Sequence, residues 1–176
     1  MLSVRQSGRR RIVTVAGGVL LLSSAAAALF AVPAFADDGA ASLSGTPCTV
    51  TTRVCVELDS RQAWLVQAGK VIRGPVDISS GGDGAETPTG TFHVLSKDEH
   101  HVSQESKLPN GQGAPMPWSV FFEQGGIAFH SGDPDKASAG CIHLSPADAQ
   151  AWFGNLNVGD EVQVFQNSDD GDDSDN

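Results

Sequence analysis

The chain has 176 residues, with 11 Lys and Arg against 21 Asp and Glu and a formal net charge of −10. That sign argues against a nucleic-acid partner and against anionic membrane surfaces, both of which require basic patches. The length and a hydrophobic content of 40% suit one domain with its own apolar core.

Residues 1–36 read as an export signal. Arg9, Arg10 and Arg11 precede an apolar run from Ile12 to Val32, and Ala34-Phe35-Ala36 supplies small residues for cleavage. The run is long enough that an uncleaved anchor is the alternative, and the paired arginines permit the twin-arginine route as well. Once the signal is cleaved, no stable membrane insertion is expected, and the location is the cell envelope or beyond it. Arg5, Arg9, Arg10 and Arg11 leave with the signal and no acidic residue does, so the mature chain is more acidic still. Residues 37–47 read as a flexible lead-in to a domain spanning 48–165.

Cys48 and Cys55 are close in sequence and, in an oxidising compartment, are expected to pair as a disulfide. Val54, Val56 and Leu58 alternate with polar partners as a first strand. Asp59-Ser60 turns into a second strand, Ala63 to Val66, and Ala68-Gly69-Lys70 turns back into Val71-Ile72. The result is a β-meander. Gly81 to Gly84 is a flexible loop, and Thr87-Pro88-Thr89-Gly90 is a rigid turn entering a strand from Thr91 to Leu95. Residues Ser96 to Pro117, polar and rich in Gly, Pro, Ser and His, read as a functional loop or lid.

Strand pattern resumes at Trp118 to Phe122 and, after the turn Glu123 to Gly126, at Ile127 to Phe129, with His130 at the strand end. One helix is predicted over Pro146 to Phe153, with Ser145 as N-cap and Gly154 as terminator. A last strand covers Val162 to Phe165. The segment 166–176 has no apolar residue to bury and reads as a disordered acidic tail. The fold class is therefore mainly β, a sandwich or partly closed barrel with one short helix.

The third cysteine, Cys141, has no obvious disulfide partner. A strand ending at His130 and another beginning at Cys141 would let the intervening loop fold back and bring imidazole and thiol together. An ion pair between them would lower the thiol pKa, and the N–H groups of Gly140 and Cys141 are candidates for an oxyanion hole. The alternative is a buried, inert thiol. His100-His101 reads as part of a solvated loop rather than a metal site, and His93 as a residue packed or hydrogen-bonded within its strand. Trp118, Phe121, Phe122, Trp152 and Phe165 are core candidates, with Trp118 placed to line the cleft.

Several ordered features occur together: the opening strand pair with Gly69-Lys70, the run Thr87-Pro88-Thr89-Gly90-Thr91-Phe92, Phe129-His130-Ser131-Gly132, and Ser138-Ala139-Gly140-Cys141-Ile142 before the helix. With them the chain resembles the L,D-transpeptidase catalytic domain family, the YkuD-type peptidoglycan cross-linking enzymes, over roughly Val54 to Phe165. The resemblance implies Cys141 as nucleophile, His130 as base, the Ser131 carbonyl as the group orienting His130, and Gly140 with Cys141 as the oxyanion segment. Ser138, His143 and Trp118 are the expected substrate contacts. It implies a cofactor-free and metal-free monomer acting on peptidoglycan stem peptides, forming 3→3 cross-links through a Cys141 thioester. The alternatives are an L,D-carboxypeptidase using the same site, a non-catalytic wall-binding module, or an envelope protein binding metal through Cys141, His130 and His143. Two residues depart from the family pattern: Ala139 stands where many members have histidine, and His143 where an arginine commonly follows the Cys-Ile pair.

Overall fold

The computed structural model describes residues 41–167. The expected export signal and residues 168–176 of the expected acidic tail lie outside them. Two sheets and one helix make up the described chain. The first sheet has the order β3-β2-β1-β9-β4, built from β1 (Val54–Glu57), β2 (Gln62–Gln67), β3 (Lys70–Asp77), β4 (Gly90–His93) and β9 (Glu161–Phe165). The second has the order β5-β6-β7-β8, from β5 (Ser96–Lys107), β6 (Gly113–Phe121), β7 (Ala128–Ser131) and β8 (Ile142–Leu144). The sheets contribute to one apolar core and neither closes on itself, so the architecture is the sandwich and not the barrel.

The meander β1-β2-β3 forms as expected, antiparallel throughout. Its first strand buries Val54, Cys55 and Val56 completely, because β9 pairs with it in parallel on the other side, Val54 opposite Val162 and Val56 opposite Val164. Both sheets and the helix α1 (Pro146–Asn155) feed the core: Val56, Leu65, Val120, Phe129, Ile142, Leu144, Trp152 and Val164 belong to one buried cluster. Cys48 and Cys55 are disulfide-bonded and pack with Trp64 as a separate small cluster. Residues 41–47 fall within the stretch expected to be flexible; Ser42 bridges Thr49 and Leu43 is buried.

Four expectations need correction. The polar stretch 96–117 is a long antiparallel hairpin, His101 opposite Met116, and not a loop. Apolar alternation is missing because much of β5 is exposed, and the hairpin instead turns on Asn110 and Gly111. The Asn110 Oδ1 accepts from the Gln112 N–H at 3.0 Å, Leu108 N–H donates to Gln112 O at 2.8 Å, and Gly111 takes φ +81°. The helix runs past Gly154 and ends where Leu156 becomes extended, its N–H donating to Trp152 O at 3.0 Å. Ser145 caps its start, accepting from Asp148 N–H at 3.2 Å. His93 is exposed on β4, the outermost strand of its sheet, and Phe165, at the end of β9, stays 37% exposed. No helix among the described residues is long and apolar enough to cross a membrane.

Candidate active site

The strands β7 and β8 run parallel, with Phe129 opposite Ile142 and His130 opposite His143. The connection between them, residues 132–141, therefore crosses back to the start of β7 and sets Cys141 beside Ala128, two residues along from His130 and on the same face of the sheet. A second segment holds that connection down. Beyond β3, Ser79 bridges His143 and Gly81 bridges Ser138; Ser138 N–H donates to Ser80 O at 2.9 Å and His143 N–H to Ser79 O at 2.9 Å. The Thr87 hydroxyl, buried in the turn before β4, accepts from Gly81 N–H at 2.9 Å and donates to Gly140 O at 2.8 Å. The Thr-Pro-Thr-Gly run thus positions the backbone on which Cys141 sits.

Gly140 has φ +111°, a conformation L side chains rarely adopt, and a Cβ there would meet Ile127 Cδ1 at 2.6 Å. Its N–H donates to Ser138 Oγ at 3.0 Å, while the Ser138 hydroxyl donates to Cys141 O. Ser138, expected to contact substrate, thereby has its hydroxyl committed to bracing the turn. Gly140 N–H, expected in the oxyanion hole, is likewise occupied, which leaves Cys141 N–H as the candidate donor.

Cys141 is a free thiol, half-buried, on an open groove of about 500 Å³ that His130, Ser131 and His143 also border. One wall is the β5-β6 hairpin, with His101, Glu105 and Met116; the other is the crossover, with Gly132, Asp133 and Lys136. His101, expected on a solvated loop, instead pairs with Asp98 at 3.2 Å and packs edge-on against Phe121. Trp118 does not line the groove: its ring packs on Phe153 of α1 at 5.4 Å, where its apolar surface meets another aromatic ring. Among the described residues no cluster of three or more His, Cys, Asp or Glu is arranged to hold a metal ion.

The protonation states follow from the surroundings. The His130 ring is only 6% exposed, and burial lowers its pKa to about 4 despite the opposing bond to Ser131. Its Nδ1 lies 2.9 Å from the Ser131 carbonyl, which can only accept, so the proton sits on Nδ1 and Nε2 carries the lone pair. Burial pushes the Cys141 thiol up, and Glu105 adds to the effect. The thiol donates to Gly126 O at 3.8 Å and not to His130. Burial thus disfavours the charged form of both groups, against the expected ion pair, and no hydrogen bond joins the thiol to the imidazole. Ser79, Thr87, Gly132, Glu105 and His101 were not singled out as site residues from the sequence. For Thr87 the signal was its rigid Pro-containing turn; for the others only the tertiary contacts identify them.

The L,D-transpeptidase catalytic domain family matches residues 51–164, all but the edges of the described domain. The chain belongs to that family. It is 27% identical over 109 residues to L,D-transpeptidase 2 of Mycobacterium tuberculosis (strain CDC 1551 / Oshkosh), covering 54% of this chain and 26% of that one. Among solved structures, an L,D-transpeptidase from Stackebrandtia nassauensis superposes with a TM-score of 0.56 at 31% identity, over 64% of this chain and 54% of that one. An Enterococcus faecium L,D-transpeptidase gives a TM-score of 0.56 at 28% identity, over 65% of this chain and 50% of that one. The chain thus spans about a quarter of that curated relative and about half of these solved L,D-transpeptidases.

Proposed function

We propose that this L,D-transpeptidase family member is an exported cysteine acyltransferase that forms 3→3 cross-links between peptidoglycan stem peptides through a thioester on Cys141. The observation that carries the reading is a free thiol and an oriented, unprotonated imidazole bordering one groove.

Because thiol and imidazole are both neutral at rest, attack and proton transfer go together. The thiol exchanges its bond to Gly126 O for one to His130 Nε2, and Sγ adds to the carbonyl of the third stem residue while Nε2 takes its proton. Cys141 N–H stabilises the oxyanion, a donor of a kind worth about 3 kcal/mol. Collapse breaks the C–N bond, His130 returns the proton to the departing D-alanine nitrogen, and the acyl group stays on sulfur. His130 then takes a proton from the attacking amine of a second stem, and the thiol is regenerated. The Ser131 carbonyl holds Nδ1–H throughout and stabilises the imidazolium that forms transiently.

The test is mass spectrometry of the folded, reduced protein after carbapenem exposure, with wild type and Cys141→Ser side by side. An adduct on Cys141 that is absent from the variant is expected; no adduct on wild type would sink the reading. Digestion of peptidoglycan incubated with the protein should then yield 3→3 dimers. Shortened stems without dimers would replace transfer to an amine by transfer to water, the carboxypeptidase outcome.

A further inference from the structure

The hairpin wall of the groove carries a pair of side chains that the proposed mechanism does not use. His101 Nδ1 lies 3.2 Å from Asp98 Oδ2, and the other carboxylate oxygen, Oδ1, accepts the His100 N–H at 3.0 Å. In a regular strand residues 98 and 101 point to opposite faces, so their meeting depends on a local break in the hairpin. Asp98 pairs with Ser119 and His100 with Pro117, and between those two partners Trp118 takes φ +61°, a strained conformation for a bulky L residue. The break sets a carboxylate against the imidazole of a groove residue.

That contact orients the ring. The His100 N–H, and after it the His101 side chain, hold the Asp98 carboxyl below its usual range, so it is a carboxylate and can only accept. The shared proton therefore sits on His101 Nδ1, and Nε2 is the ring atom that can take a proton. The ring packs edge-to-face with Phe121, centroids 4.9 Å apart, and borders the groove together with Cys141 and His130. Its side chain stays 30% exposed, so a proton gained there can pass on to water. His130 is the opposite case, buried and lowered to about 4.

Transfer to an amine needs two proton acceptors. An alkyl amine enters at neutral pH as an ammonium, which has no lone pair. One N–H proton must leave before attack and a second during it, and His130 Nε2 cannot hold both. Glu105, on the same wall as His101, adds a negative charge that favours a cation on that side.

We infer that His101, oriented by the positioning residue Asp98, is the acceptor-side base: its Nε2 takes a proton from the ammonium of the incoming stem and leaves a free amine beside the Cys141 thioester. The amine nitrogen then forms the new C–N bond as the C–S bond breaks. Its excess proton passes through His130 Nε2 to the departing sulfur, and His101 releases its own to water. The inference rests on the acyltransferase reading and extends it to the second half-reaction.

The experiment lets two acceptors compete at neutral pH for the acyl-enzyme formed from a tetrapeptide stem. One is a second stem whose alkyl amine is protonated in solution; the other is hydroxylamine, largely unprotonated there. Because both draw on the same acyl-enzyme, the ratio of cross-linked dimer to hydroxamate, read by mass spectrometry, is independent of how much enzyme is folded and how fast it acylates. His101→Gln should lower that ratio about a hundredfold, and Asp98→Asn, which keeps the ring against Phe121, about tenfold. An unchanged ratio in either variant, whatever happens to the total rate, overturns the inference and leaves His101 a wall residue. Wild type that yields hydroxamate without dimer overturns it as well, with acylation intact. Absence of both products and of any Cys141 adduct in wild type overturns the acyltransferase reading, and the inference with it.

Discussion

At the scale of single residues, the site stores its reactivity in burial rather than in charge. Cys141 and His130 are each pushed toward their neutral forms by loss of solvent, and in the proposed mechanism the thiolate is therefore made during attack. Alkylation of Cys141 by iodoacetamide should accordingly be slow at neutral pH and accelerate toward alkaline pH, with a midpoint above the ordinary thiol value of about 8.5. A midpoint below 7 in a pH series of alkylation rates would restore the ion pair. The His130 pKa also sets a stability window. The folded form resists protonation down to about 4 while the unfolded ring titrates near 6.5, so between those values the unfolded chain binds more protons. Stability therefore falls as pH drops from about 6.5 to about 4, by a contribution on the order of 3 kcal/mol. Urea unfolding of wild type and His130→Gln across that range checks it, because the variant should lose less stability on acidification.

At the scale of elements, the β5-β6 hairpin and the β7-β8 crossover face each other across the groove and are held by different means. The crossover is tied to the 79–82 segment and to Thr87 by backbone and hydroxyl bonds, whereas the hairpin depends on its own ladder and turn. Gly113 opens β6 where a Cβ would stand 2.1 Å from Ser103 O, so the two hairpin strands need a glycine there to approach. Gly113→Ala should force them apart at a cost of about 1–3 kcal/mol. Amide exchange should quicken between Ser103 and Lys107 and leave the α1 amides unchanged. Equal acceleration in α1 would mean that hairpin and core open together.

At the scale of the whole molecule, the parallel β1-β9 pair joins the first and last strands of the described residues, and the Cys48–Cys55 link pins the entry to β1 beside it. A loop that short restricts the unfolded chain by about 2.5 kcal/mol. Replacing both cysteines by alanine should lower the unfolding free energy by roughly that amount in urea titrations, while Cys141 still accepts the carbapenem. Loss of the adduct at a denaturant-free midpoint well above assay temperature would tie the disulfide to the site itself.

Much of this molecule is written in local pattern. The meander was legible because one buried face imposes alternation on Val54, Val56 and their partners, and the start of the helix because Ser145 and Pro146 satisfy a helix N-terminus. That Cys141, His130 and Ser131 would border one groove was legible because a single short loop separates them in the chain. The hairpin was not, since an exposed edge strand leaves no apolar signature and only its backbone ladder defines it. Nor were the burial that disfavours charge on both groups, the turn of Trp118 toward Phe153, or the contacts by which Ser79 ties down the crossover. Those depend on which distant segments come to lie together and exclude water, a property of the packed chain that no stretch of residues carries alone.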